Sequence, residues 1–103
     1  MNGITAYTTP FEKPGLVEVV FGNRSLIVEE DNEEFFKYFK TAKSNFFNTV
    51  KNILNTYRND VKDLGEKDAK ELKDKSLWVE INNFELRVMR MYRKVRINQR
   101  AQL

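Results

Sequence analysis

Apolar residues recur at helical spacing through the middle of the chain, and this pattern limits the possible folds more than any other feature. The recurring positions are Phe36, Phe39, Phe46, Val50, Ile53, Tyr57, Val61 and Leu64. Their gaps of three, four or seven residues place the side chains on one face of an α-helix. We therefore predict helix across residues 36–64, with the single missed step at Lys43.

The length of this helical segment conflicts with the size of the chain. An unbroken helix over 36–64 would extend about 43 Å at ~1.5 Å per residue. A compact domain of about 100 residues has a radius of gyration of only about 13 Å. Either the helix breaks near Ser44 and Asn45, where a second N-cap can form, or it projects from the domain and meets a partner. We favour the break.

A β-hairpin is predicted just before the helix. β-Branched and aromatic residues alternate over 16–21, the turn sequence 22–25 follows, and apolar residues resume at 26–30. Two such segments joined by a Gly-containing turn are typical of a hairpin. The preceding segment, 1–15, is rich in turn residues and is predicted to be an irregular lead-in.

Polar residues mark the predicted ends of the helix. Asp31 and Asn32 are N-cap residues, and Glu34 follows Asp31 at the spacing of a capping box. Gly65 is predicted to end the helix, because glycine accepts the left-handed conformation found after the last turn. The charged segment 63–76 then forms a connector, either a short exposed helix or a mobile loop.

The C-terminal quarter allows two interpretations. In the first, apolar residues alternate on both sides of a turn at Asn82 and Asn83, and form a second β-hairpin: Leu77, Val79, Ile81, Phe84, Leu86 and Val88. In the second, a helix capped by Asn82 carries an apolar face made of Phe84, Val88, Met91 and Val95. We favour the hairpin, with a β-bulge near Met89 and with Trp78 packed in the core or against the hairpin.

These elements together predict an α+β fold. Its small antiparallel sheet is built from two β-hairpins that flank a central helical segment, in a ββαββ-like order. A chain of 103 residues is expected to be a single domain, with 98–103 as a flexible tail. No apolar segment approaches the ~20 residues that span a bilayer, and the N-terminus lacks a signal-peptide pattern. We therefore expect a cytoplasmic protein with no membrane partner.

The composition argues against most catalytic chemistry. The chain has no Cys and no His, and its four glycines are scattered rather than grouped in a phosphate-binding loop. We therefore predict no enzyme activity, no catalytic residue, no cofactor and no metal site. The acidic cluster 29–34 is better explained as a hairpin end that leads into a capped helix than as ligands for Mg²⁺ or Ca²⁺. A ribonuclease that works with Arg, Lys and Tyr alone stays open as an exception.

The net charge of +3 is divided into alternating blocks along the chain. Residues 1–36 carry −5, residues 37–62 carry +5, residues 63–80 carry −2 and residues 81–103 carry +5, which sum to +3. Clustered Lys and Arg attract phosphates and acidic protein surfaces alike. The two positive blocks are therefore the candidate binding surfaces.

The C-terminal block is the more informative of the two, because five of its six bases are Arg. Arg pairs its planar guanidinium with phosphate, and an aromatic ring can stack on a base. The candidate nucleic-acid-binding residues are Arg87, Arg90, Tyr92, Arg93, Lys94, Arg96 and Arg100. A second basic row on the predicted central helix consists of Lys37, Lys40 and Lys43.

The conformation of the C-terminal block decides which nucleic acid it suits. On a strand, one face would carry Arg90, Tyr92, Lys94 and Arg96, which favours RNA or single-stranded nucleic acid. On a helix, the bases would cover a broad face suited to the phosphates of a duplex.

Three functions follow from these patterns. The first is a non-enzymatic nucleic-acid-binding or nucleic-acid-associated regulatory module. The second is a small protein-binding inhibitor or adaptor, of the kind that phages and mobile elements encode, which acts on a host protein. It would use either the basic C-terminal block against an acidic groove or the acidic cluster 29–34 as a nucleic-acid mimic. The third is a homo-oligomeric structural protein that assembles through the 36–64 helix. If the C-terminal block binds no partner, its bases either neutralise the acidic cluster 29–34 or keep the C-terminal tail soluble.

Overall fold

The fold is a three-stranded sheet followed by a hairpin of two long helices. The computed structural model describes the backbone of residues 5–102 and the side chains of residues 5–96. The elements are β1 (Ala6–Pro10), β2 (Leu16–Phe21), β3 (Arg24–Glu29), α1 (Glu33–Leu64) and α2 (Glu66–Gln102). The strands pair antiparallel in the order β1-β2-β3. The protein is therefore α+β, but its element order is βββαα, and the predicted ββαββ order is wrong.

The first hairpin is confirmed, and the irregular lead-in is partly wrong. β2 and β3 pair across the turn that follows Phe21, close to the predicted boundaries. β1 adds an edge strand within the predicted lead-in, paired with β2 from Ala6 opposite Phe21 to Pro10 opposite Val17. This strand escapes sequence analysis because Ala6 is its only buried residue and because Pro, which is tolerated on edge strands, resembles a turn signal.

Local capping explains where α1 begins and ends. Asn32 is the N-cap, and its Oδ1 accepts a hydrogen bond from the Phe35 backbone N–H at 3.2 Å. Gly65 follows the last turn at a φ of 86°, and its N–H donates to the Val61 carbonyl at 3.0 Å. A positive φ is accessible to glycine without strain. The N-cap at Asn32 and the helix end at Gly65 are confirmed, whereas the predicted capping box of Asp31 and Glu34 is wrong because Asn32 caps the helix instead.

Replacing the N-cap tests how much this local signal stabilises the protein. We expect Asn32→Ala to lower the free energy of unfolding by about 1 kcal/mol, because the Phe35 N–H loses its acceptor. The measurement is urea denaturation followed by circular dichroism. Asn48→Ala is the matched control, since Asn48 is exposed within α1 and alanine favours the helix interior. Equal losses in the two variants would contradict the capping role.

The predicted break in the long helix is wrong. α1 continues through Ser44 and Asn45 without interruption over its 32 residues. It remains helical because α2 runs back along it and covers its apolar face. The molecule is elongated as a result, at 57 × 26 × 16 Å with a radius of gyration of 16.8 Å. The helix does project beyond the sheet, and its partner is the second helix of the same chain.

The predicted C-terminal hairpin is also wrong, because residues 66–102 form one helix. The connector 63–76 supplies the end of α1, the Gly65 joint and the first turns of α2. Asn82 lies inside α2 and caps nothing. Trp78 is not in the core, since it is 68% exposed. Within the described residues, neither helix has an apolar segment long enough to cross a membrane.

The core lies where the sheet covers the open end of the helical hairpin. The Phe84 ring stacks on Phe46 with 4.3 Å between centroids and an angle of 8°. It also meets Phe21 of the sheet edge-on at 6.5 Å and Phe39 at 6.3 Å. Phe84 therefore joins all three layers of the core, namely the sheet, α1 and α2.

Candidate functional site

The C-terminal half of α2 carries a dense group of basic residues. We call residues 86–96 the basic segment, because they include five bases and no acid. Four of the five bases are exposed, namely Arg90, Arg93, Lys94 and Arg96. Arg87 is half-buried, and the side chain of Arg100 lies outside the described residues. The charge predicted from sequence is thus largely available to a ligand.

One side of the basic segment forms a shallow groove beside α1. Arg87, Arg90 and Lys94 follow one another at spacings of three and four, so they lie on the same side of the helix. With Met91 and with Tyr38 of α1 they line a groove of about 270 Å³. Glu80 accepts a hydrogen bond from the Arg87 guanidinium at 3.0 Å and holds it in place. We call this surface the Tyr38 groove.

The remaining bases lie around the helix, towards the sheet. Arg93 lines a second groove, between α2 and Arg24 at the start of β3. Arg96 lines a third depression, of about 170 Å³, together with Glu29 and Asn32. The predicted single face of Arg90, Tyr92, Lys94 and Arg96 is therefore wrong, because a helix rotates these residues to different sides.

Tyr92 does not present a free ring to a ligand. It is half-buried, and its ring meets Phe35 edge-on with 6.2 Å between centroids and an angle of 83°. No other aromatic residue occurs in the basic segment. The segment is therefore suited to charge pairing with a ligand rather than to base stacking.

The structure also addresses whether these bases neutralise the acidic cluster 29–34. The start of α1 lies near the end of α2, since Glu29 and Arg96 line the same depression. Even so, the described side chains form ion pairs within 4.0 Å only as Arg24–Glu85, Lys73–Asp74 and Arg87–Glu80. The four exposed bases of the basic segment thus have no carboxylate partner among the described side chains.

The predicted second basic row does not extend the basic segment. Lys37 and Lys40 are exposed and Lys43 is half-buried. Lys37 is two residues from both Phe35 and Phe39, which are buried, so helical geometry places it on the opposite side of α1. The structure therefore separates the Lys37 side of α1 from the Tyr38 groove.

Arg24 is a site residue that sequence analysis misses. The Glu85 carboxylate, only 7% exposed, accepts hydrogen bonds from the Asn23 backbone N–H at 2.8 Å and from Arg24 Nε at 3.2 Å. This contact fixes the β2–β3 turn on α2 and places the Arg24 side chain beside Arg90 and Arg93. No sequence signal reveals it, because 61 residues separate Arg24 from Glu85.

No family model, curated protein or solved structure matches this chain. The function is therefore inferred from the geometry of the basic segment.

Proposed function

We propose that the protein is a non-enzymatic nucleic-acid-binding module whose basic segment contacts backbone phosphates. One observation carries this proposal: Arg90, Arg93, Lys94 and Arg96 are exposed on one helix with no carboxylate partner among the described side chains. Arg24, which is paired with Glu85, lies beside Arg90 and Arg93 at the edge of this surface. Unpaired Lys and Arg in this density attract polyanions, because phosphate contacts release condensed counterions.

Duplex DNA is the nucleic acid that this arrangement favours. The prediction of RNA or single-stranded nucleic acid requires a β-strand that exposes Tyr92. Tyr92 lies instead in α2, with its ring against Phe35. Bases on two sides of a helix suit the phosphates that border a groove of B-DNA, which is wide enough to admit a helix. A-form RNA has a deep, narrow major groove that side chains enter poorly.

The test compares two variants with the same change in net charge. The first replaces Arg90, Arg93, Lys94 and Arg96 with Gln, and the control replaces Lys51, Lys62, Lys67 and Lys70 with Gln. Each variant changes the net charge from +3 to −1, and all eight side chains are exposed. Circular dichroism first establishes that both variants fold.

We expect fluorescence anisotropy with labelled duplex DNA to show salt-sensitive binding by the wild type and the control. The first variant should bind at least tenfold more weakly at low salt. Its log–log salt slope should be shallower by about 0.9 for each phosphate contact removed. Equal weakening in both variants would mean that net charge alone causes binding, and absence of wild-type binding would contradict the proposal.

An acidic protein surface is the second candidate ligand. The observation that favours it is the absence of an exposed ring in the basic segment, since guanidinium groups pair with carboxylates as readily as with phosphates. A pull-down with and without nuclease separates the two. One stoichiometric protein that is retained after nuclease treatment, and lost with the first variant, would favour an adaptor or inhibitor.

A further inference from the structure

The outward side of α2, which faces away from α1, is unusually apolar. Trp78 is 68% exposed, Leu86 is 52% exposed and Val79 is also exposed. Val79 and Leu86 lie roughly opposite the buried residue Leu77 on the helix, and Trp78 lies about 100° around the helix from it. The outward side of α1 is polar by contrast, with exposed Ser44, Asn48, Lys51 and Asn55. If a helix of this chain pairs with another molecule through its outward side, α2 has the apolar surface to do so.

A groove lies on the same side of α2, one turn beyond Trp78. It has a volume of about 420 Å³ and is lined by Arg24, Asn82, Leu86, Met89 and Arg93, among others. Leu86 and Met89 offer apolar contact and Arg90 and Arg93 offer guanidinium groups, which suits an aromatic side chain through cation–π attraction, and Glu85 in the same lining is paired with Arg24. The chain thus carries a projecting indole and a groove of matching chemistry on one helix face.

The charged side chains on the outward side of α2 differ between the two halves of the helix. The N-terminal half carries exposed Asp68 and Glu71, and the C-terminal half carries exposed Arg93 and Arg96. Two copies that lie antiparallel would set Asp68 and Glu71 of each copy against the basic segment of the other.

The residues that would meet across such an interface are arranged symmetrically in sequence around one residue. Trp78 and Leu86 are equally distant in sequence from Asn82, and so are Glu71 and Arg93, and Asp68 and Arg96. A two-fold axis at Asn82 would therefore place Trp78 of each copy at the groove beside Leu86 of the other. The same operation would place Glu71 against Arg93, as a self-complementary interface requires.

We infer that the protein forms a symmetric dimer, in which two α2 helices pack antiparallel around Asn82. The expected assembly is a four-helix arrangement with α2 at the centre, rather than association through the 36–64 helix. The interface takes up Arg93 and Arg96 of the basic segment, whereas Arg87 and Lys94 in the Tyr38 groove stay accessible for a ligand in both copies. The inference therefore goes beyond the proposed function and does not depend on it.

Sedimentation equilibrium at high micromolar concentration, without nucleic acid, tests the dimer. We expect twice the chain mass of 12.2 kDa for the wild type. Trp78→Glu combined with Leu86→Glu should give the monomer mass. The control is Leu54→Glu combined with Leu64→Glu, which adds the same charge at exposed leucines of α1 and should remain dimeric. A monomeric wild type, or a dimer that persists in the Trp78 and Leu86 variant, would overturn the inference.

Cross-linking tests the position of the axis, because the natural chain has no cysteine. Asn82→Cys should form a disulfide-linked dimer under mild oxidation, since facing residues at the axis come within disulfide reach. Asn48→Cys on the outward side of α1 should not. Glu71→Arg and Arg93→Glu should each weaken the dimer, and their combination should restore it. Cross-linking at residue 48 but not 82, or no restoration by the double variant, would overturn the antiparallel register.

Discussion

Replacing Phe84 with alanine is expected to lower the free energy of unfolding by about 3–5 kcal/mol. The side chain is fully buried, and its ring contacts Phe21, Phe39 and Phe46. Those three contacts join the sheet, α1 and α2. Movement of one element alone therefore cannot fill the cavity that the alanine substitution leaves. A loss of this size removes a large part of the roughly 5–15 kcal/mol that stabilises a typical domain.

Phe47→Ala is the matched control for this prediction. The two phenylalanines undergo the same chemical change, but Phe47 is exposed on α1 beside the buried Phe46. We expect it to cost less than about 1 kcal/mol, as most surface substitutions do. Urea denaturation should be followed by far-ultraviolet circular dichroism, because the only tryptophan is already exposed in the folded protein. Similar losses for the two variants would contradict the position of Phe84 at the centre of the core.

Gly22→Ala is the second substitution with a large expected effect. Gly22 has a φ of 63°, which disfavours any residue with a Cβ, and an added Cβ would collide with Glu85 Oε1. The strained backbone costs about 1–2 kcal/mol. Displacing the carboxylate weakens its hydrogen bonds to Asn23 and Arg24, and bonds to a charged group contribute about 1.5–3 kcal/mol each. We expect a total loss of about 3 kcal/mol.

Gly15→Ala separates the two causes. Gly15 also has a positive φ, of 82°, but an added Cβ there meets nothing within 4 Å. It should therefore lose only the backbone contribution, about 1–2 kcal/mol. Adding Glu85→Ala to Gly22→Ala should cost less than the sum of the two single changes, because they disrupt one contact. Equal losses at Gly15 and Gly22, measured by urea denaturation, would show that Glu85 does not restrict the turn.

The parts of the fold that sequence analysis predicted correctly depend on local chemistry. The β2–β3 hairpin follows from alternation around a glycine turn, and the ends of α1 follow from Asn32 and Gly65. The predicted break rests on an assumption about compactness together with a possible second N-cap at Ser44 and Asn45. The assumption failed because α2 covers the length of α1.

The C-terminal error has a physical origin in α2 itself. This helix buries Leu77 and Ile81 against the core and exposes Val79 on its outward side. A helix with apolar residues on two sides produces an alternation that resembles a strand. The bases of the candidate site are consequently recognisable in the sequence, but the sides of the helix on which they lie are not. The addition of Arg24 depends on its contact with Glu85, which only the folded chain reveals.

The uneven burial along the helical hairpin has a consequence for how the protein opens. Within the described residues, α1 has its last buried side chain at Val50 and α2 has its first at Ala69. The turns on either side of Gly65 are therefore held by helix–helix contacts alone, without the sheet. Local opening free energies follow the density of buried apolar contacts. Amide hydrogens near Gly65 should thus exchange through small, independent fluctuations, while those around Phe84 exchange only when the whole domain unfolds.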